Sequence, residues 1–180
     1  MTGSINPSFD FDSVDRFIPG AVGQPGRREF FLQAVSGTTV VSLKVEKQQV
    51  ALLADYLNRV LTIQSLPDGP PVDHHDLVEP VNAEWVVGSI MVAVNEAAGR
   101  VVVVVEELVI PDDDDNPEAP EAPDGPDEGA ARAEARFSLT RPQVEVFVDL
   151  ARAAVVAGRL PCPLCGRPID PGGHDCPRLN

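Results

Sequence analysis

One tract divides the chain. Residues 111–129 read Pro-Asp-Asp-Asp-Asp-Asn-Pro-Glu-Ala-Pro-Glu-Ala-Pro-Asp-Gly-Pro-Asp-Glu-Gly and hold nine acids and no base. Proline locks φ and lacks a backbone N–H, so neither a helix interior nor a β-ladder can run through the segment. Clustered like charges with almost nothing apolar between them give it no reason to collapse. It is expected to be a disordered acidic linker, a solvated insertion rather than an interaction tail or cation trap, and the folded part must come from the residues on either side. Without the tract, 19 acids face 14 bases, so a net charge of −14 becomes −5 and the folded part is only mildly acidic. Such a balance excludes a nucleic-acid groove or a polybasic membrane patch spread over the whole surface. The 180 residues, 43% hydrophobic, suffice for one domain with a small appendage.

Periodicity supplies the elements. Residues 28–36 and 38–45 are rich in β-branched and aromatic side chains and meet at Gly37, which predicts a hairpin. From Glu46 the period changes: Val50, Leu53, Ala54, Leu57, Val60 and Leu61 recur at helical spacing, so 46–64 should be an amphipathic helix whose stripe lies on the sheet. Residues 65–82 read as loop. Residues 84–94 and 100–110 form a second strand pair around Gly99, and the valine run 101–105 suits a strand buried on both faces. After the linker, 135–139 is a short strand entering a helix over 141–157. There Thr140 and Gln143 form a capping box, Pro142 sits in the first turn, and Gly158 is placed to end the helix.

The two strand-to-helix junctions echo each other. Residues 45–55 (Val-Glu-Lys-Gln-Gln-Val-Ala-Leu-Leu-Ala-Asp) align with 139–149 (Leu-Thr-Arg-Pro-Gln-Val-Glu-Val-Phe-Val-Asp), matching Gln49 with Gln143, Val50 with Val144 and Asp55 with Asp149. The expectation is an α+β fold: a mostly antiparallel sheet built from two related ββα-type units, both helices on one face and both junctions alike. Residues 1–110 and 130–158 then make one domain, interrupted by 111–129 and followed by a tail over 159–180.

That tail carries the clearest chemistry. Cys162-x₂-Cys165-Gly166 has the form of a zinc knuckle, in which a tight turn aims two thiolates at one ion and the glycine takes up a positive φ. His174-x-Cys176 offers two more donors beyond a hinge at Pro171-Gly-Gly173, and all three cysteines of the protein fall in the motif. A dithiol redox site is the rival reading. Such a site usually sets its first cysteine at a helix N-terminus after a strand, whereas this pair follows a helix. Cys162, Cys165, His174 and Cys176 are therefore expected to bind structural zinc, since four protein ligands leave no open position for a reacting water. Three cysteines are also too few for a secreted disulfide scaffold, which points to a reducing compartment.

Weaker signals remain. Asp73-His-His-Asp76 could ligate an ion or act as acid and base, but it lies in a loop without a spacing partner and reads better as solvated. Glu106 and Glu107 alternate to opposite faces of a strand, so with Glu84 and Glu96 they make no catalytic pair. Residues 20–28, Gly-Ala-Val-Gly-Gln-Pro-Gly-Arg-Arg, invite a phosphate-cradle reading. They lead into a strand rather than a helix and lack the G-x-x-x-x-G-K-[ST] pattern, so a turn presenting the hairpin is expected. No G-x-S-x-G elbow or H-E-x-x-H pair occurs. No catalytic or organic-cofactor residue is assigned.

The stretch 17–33 (Phe-Ile-Pro-Gly-Ala-Val-Gly-Gln-Pro-Gly-Arg-Arg-Glu-Phe-Phe-Leu-Gln), the helix entry Glu46-Lys-Gln-Gln-Val50 and the tail 162–178 together resemble an uncharacterised actinobacterial domain-of-unknown-function family, over nearly the whole length. The resemblance implies a cytoplasmic protein, often encoded beside a histidine-phosphatase-like and a kinase-like protein, and no activity. The N-terminus lacks the basic and apolar regions of a signal peptide, and the longest apolar run, Val101–Val105, is far short of the ~20 residues of a membrane span. The leading functional expectation is a non-enzymatic binding or scaffolding protein whose protein partner is sought among those neighbours, with a homo-oligomer left open. The alternative is an enzyme acting on a phosphorylated or acidic small molecule near residues 20–28 and 73–76, with Arg27, Arg28, His74 and His75 as its lining.

Overall fold

Alternation of apolar residues builds the same arrangement twice. In a computed structural model, residues 6–24, 26–73, 76–110, 132–157, 162–167, 169 and 175–178 are described. The strands are β1 (Phe9–Phe11), β2 (Arg16–Val22), β3 (Glu29–Ser36), β4 (Thr39–Val45), β5 (Val87–Asn95), β6 (Arg100–Glu107) and β7 (Glu134–Leu139); the helices are α1 (Lys47–Ile63) and α2 (Arg141–Val156). Strands β2, β3 and β4 form one antiparallel meander, and β5, β6 and β7 another. A helix follows each meander. The acidic tract 111–129 and Gly158 lie outside the described residues.

The inward positions correspond register for register. Phe30, Leu32 and Ala34 of β3 stand opposite Val45, Leu43 and Val41 of β4; Val101, Val103 and Val105 of β6 stand opposite Leu139, Phe137 and Ala135 of β7. All of these pack in one core with Val50, Leu53, Ala54 and Leu57 of α1 and Val144, Phe147, Val148 and Ala151 of α2, so both helices cover one face. The junctions match as well. Glu46 and Thr140 each leave the strand in an extended conformation, and each donates its backbone N–H to a returning side chain, Glu46 to Gln49 Oε1 (2.9 Å) and Thr140 to Gln143 Oε1 (2.8 Å).

The same two glutamines lock the halves together. Gln49 Nε2 donates to the carbonyls of Val87 and Gly88, where β5 begins, and Gln143 Nε2 donates to those of Val14 and Asp15, where β2 begins. Strand exchange repeats the pattern: β1, which leads into β2, pairs in parallel with β7, and residues 84–86, which lead into β5, run parallel to β4 through a bridge from Lys44 to Val86. Each half thus ends its sheet with a segment of the other.

Two expectations need correction. The shared sheet is two sheets, ordered β1-β7-β6-β5 and β2-β3-β4, meeting at that single parallel bridge. A register shift between Val87 and Ser89 bends β5 away from β4, as an inserted residue does. The units are also βββα rather than ββα. Strand β2 escapes a compositional reading because it contains Pro19 and Gly20, yet it lies at a sheet edge, where a missing N–H breaks no ladder.

Leu77 and Val78 lie on the outer face of β2–β4. Gln33, fully buried, holds them: its Nε2 donates to Ser42 Oγ and the Val78 carbonyl (3.0 Å each), and its Oε1 accepts from the Val78 N–H (2.7 Å). Leu77 rests on Gly20, where an added Cβ would stand 2.5 Å from the leucine Cγ. Within the stretch read as loop, Leu77 and Val78 are therefore a strap pinned by a buried amide. Among the described residues no helix is long and apolar enough to cross a membrane.

Candidate metal centre

A turn over 163–165 follows Cys162, and two backbone bonds close it: the Gly166 N–H donates to the Cys162 carbonyl and the Cys162 N–H to the Arg167 carbonyl, both at 2.8 Å. Gly166 takes φ +73°, a left-handed conformation that costs glycine nothing. The turn brings Cys162 and Cys165 to one side. Cys176 joins them from the far end of the tail, its Sγ 3.8 Å from that of Cys162, and all three sulfurs lie within 4.8 Å of one another. Sulfurs at two corners of a tetrahedron about 2.3 Å in radius would be about 3.8 Å apart, so the separation suits a metal ion. Arg178 clips the two segments together through a 3.0 Å bond from Nη1 to the Leu164 carbonyl.

The thiols are unequal. Backbone N–H groups of Cys165 and then Leu164 favour the Cys162 thiolate, holding that thiol below its ordinary range against the opposing effect of burial. Around Cys176 the Arg178 N–H acts in the same direction, but burial and the neighbouring Cys165 and Cys162 sulfurs outweigh it and push the thiol up. Three thiolates so close repel one another unless a cation lies between them. The three cysteines can hold a metal ion; the expected fourth ligand, His174, lies outside the described residues.

The other sequence candidates do not converge. Arg28 donates to the carbonyl of Ala157, satisfying a terminal acceptor of α2, while Gly23 and Gly26, at φ +104° and +92°, shape the β2–β3 turn. Residues 23, 24 and 26–28 are thus a turn that fastens a helix end. Asp73 borders a cavity to which no described residue of 20–28 contributes, and His74 and His75 lie outside the described residues. Glu106 accepts from Ser89 Oγ, Glu107 accepts from the Ala133 N–H, and Glu84 and Glu96 are exposed.

What sequence reasoning missed is an apolar groove of about 630 Å³ between α1 and β5, lined by Gln49, Leu52, Leu53, Tyr56 and Ile90–Val92. Leu52, Tyr56 and Met91 are at least half exposed there. On the other side of the molecule α2 packs directly onto β2, with Phe17 of β2 wedged between Phe137 of β7 (4.8 Å) and Phe147 of α2 (5.3 Å). The corresponding trio is Ile90, Leu43 and Leu53, whose smaller side chains leave the space open. A signal existed: Leu52 and Tyr56 recur four apart, off the main stripe of α1.

Neither the curated proteins nor the solved structures contain a match to the chain. A family profile described as "Protein of unknown function (DUF3090)" matches residues 9–176, a span running from β1 to the last cysteine of the cluster. The chain belongs to the DUF3090 family.

Proposed function

We propose that this protein is a non-enzymatic, cytoplasmic binding module that takes an extended segment of a partner protein along β5 and carries structural zinc at Cys162, Cys165, His174 and Cys176. The observation that carries the reading is the outer edge of Ser89–Asn95. Among the described residues its ladder partner is β6 on one side only, and the sequence Ser-Ile-Met-Val-Ala-Val-Asn has no charge and no proline. Open edges are ordinarily blunted by such residues or covered. The corresponding edge, β2, has Pro19 at its centre and α2 against its side. Strand β5 has neither, and the groove beside it offers room for alternate side chains of an added strand.

The chemistry of the partner follows. An added strand needs apolar residues at alternate positions to enter the groove, and basic flanks suit a chain of net charge −14. The phosphatase-like and kinase-like neighbours implied by the family resemblance are the first candidates. We read the two βββα units as copies of one unit, of which one kept its edge closed and the other opened it.

A photo-crosslinker placed at Met91, in full-length protein in its native cell, tests the docking. The expected product is a peptide with alternate apolar residues from one partner, lost in Leu52→Glu, a change on the exposed face of α1. Retention of the partner by Leu52→Glu with loss in Cys165→Ser would move the interaction to the tail and overturn the groove. Elemental analysis tests the metal: about one zinc per chain is expected, and less than half an equivalent after expression with zinc supplied would refute it.

A further inference from the structure

The two junctions that match in backbone differ in charge. At the first, Glu29 begins β3, Glu46 caps α1 and Ser89 lies on β5; Glu29 is neutralised by Lys44, and Ser89 bonds Glu106. At the second, the corresponding positions hold Arg100, Thr140 and Arg16. The Arg16 and Arg100 side chains make no ion pair or hydrogen bond with any described residue, although the folded part as a whole carries more acids than bases. Both border a cavity of about 620 Å³ that also takes in Thr140 and the apolar residues Val14, Pro70 and Pro71.

We propose that this cavity binds a phosphorylated small molecule, its phosphate between the Arg16 and Arg100 guanidiniums and its organic body against Val14, Pro70 and Pro71. Planar guanidiniums present paired donors to a tetrahedral oxyanion, and two of them match a dianion in charge. The volume lies in the range of small-molecule sites and exceeds what a bare phosphate needs, so the ligand brings an apolar body. Of the two carboxylates at the cavity, Asp15 accepts from the Gly37 N–H (2.7 Å) and Asp73 is exposed. The N-terminal turn of α2 is already capped by Thr140 and Gln143, so recognition falls to the arginines. This site is separate from the β5 groove and stands or falls independently of it.

Phenyl phosphate and inorganic phosphate, titrated into the zinc-loaded full chain by calorimetry, test the proposal. Saturable binding is expected for both, tighter for phenyl phosphate, and weakened about tenfold or more by Arg16→Ser or Arg100→Glu. These two changes install the residues of the matching junction, which the same backbone already accommodates, and an unchanged thermal midpoint would show that the fold is kept. Arg27→Gln, on an exposed arginine outside the cavity, should bind as the parent does. Absence of saturable binding, equal affinity in the Arg16 and Arg100 variants, or an equal loss in Arg27→Gln would overturn the site. Inorganic phosphate binding as tightly as phenyl phosphate would overturn the apolar body.

Discussion

Replacing Gln143 by leucine tests whether the interlock between the halves is what sets stability. The carboxamide is buried, accepts from the Thr140 N–H at 2.8 Å and donates to the Val14 carbonyl at 2.6 Å. Leucine keeps the volume and removes both bonds together with the longer one to the Asp15 carbonyl (3.4 Å). Losing a helix cap costs about 1 kcal/mol, and stranding a buried carbonyl about 1–3 kcal/mol. The expected loss is about 3 kcal/mol, a fall of about 1.5 M in the urea midpoint for a slope near 2 kcal/mol/M. Gln49→Leu removes the corresponding bonds at the other junction, but Gln49 is half-buried at the edge of the groove, where water can reach the Val87 and Gly88 carbonyls. Its cost should be about 1 kcal/mol. Fluorescence of Trp85, the single tryptophan, reports the transition, because its ring is buried and its Nε1 donates to the Pro7 carbonyl. A Gln143→Leu protein within 0.5 kcal/mol of the parent, or a Gln49→Leu protein as damaged as Gln143→Leu, would refute the reasoning.

Four further outcomes are expected. Gln33→Leu should release the strap: hydrogen exchange at the Val78 amide accelerates while the β3–β4 ladder stays protected, and loss of protection across both would mean that the amide serves the sheet instead. Metal affinity should fall as pH drops, because each thiol must lose its proton to bind; Cys162, held low, resists acidification, and Cys176, pushed up, is reprotonated before it. A zinc chelator should loosen the tail and leave the Trp85 transition in place, and a coincident collapse would show the tail to be part of the main core. Shortening 112–128 to a brief Gly/Ser connection should leave the thermal transition and metal content unchanged, since loop closure changes by only about 0.6 kcal/mol per doubling of length; a lost transition would show that the tract packs.

Local chemistry was legible before any coordinates. The β-branched richness of 38–45, the valine run 101–105, the helical spacing of Val50, Leu53, Ala54 and Leu57, the capping box of Thr140 and Gln143, and the knuckle of Cys162 and Cys165 each depend on neighbours within a few residues. The echo between 45–55 and 139–149 was legible for the same reason, since each junction must cap a helix straight after a strand. What the sequence could not show depends on who stands beside whom. Pro19 is compatible with a strand because β2 is an edge, and the edge exists through pairing with β3 alone. The sheets part because a bulge at Gly88 turns β5 away after three residues beside β4. Arg16 and Arg100 border one cavity only because the halves exchange their leading segments, and no spacing rule joins residues so far apart. The groove follows from volumes summed across three elements, with Phe17, Phe137 and Phe147 filling one side of the molecule while Ile90, Leu43 and Leu53 leave the other open. Packing is a property of the assembled neighbours, so tertiary structure decided where this chain is closed and where it offers a surface.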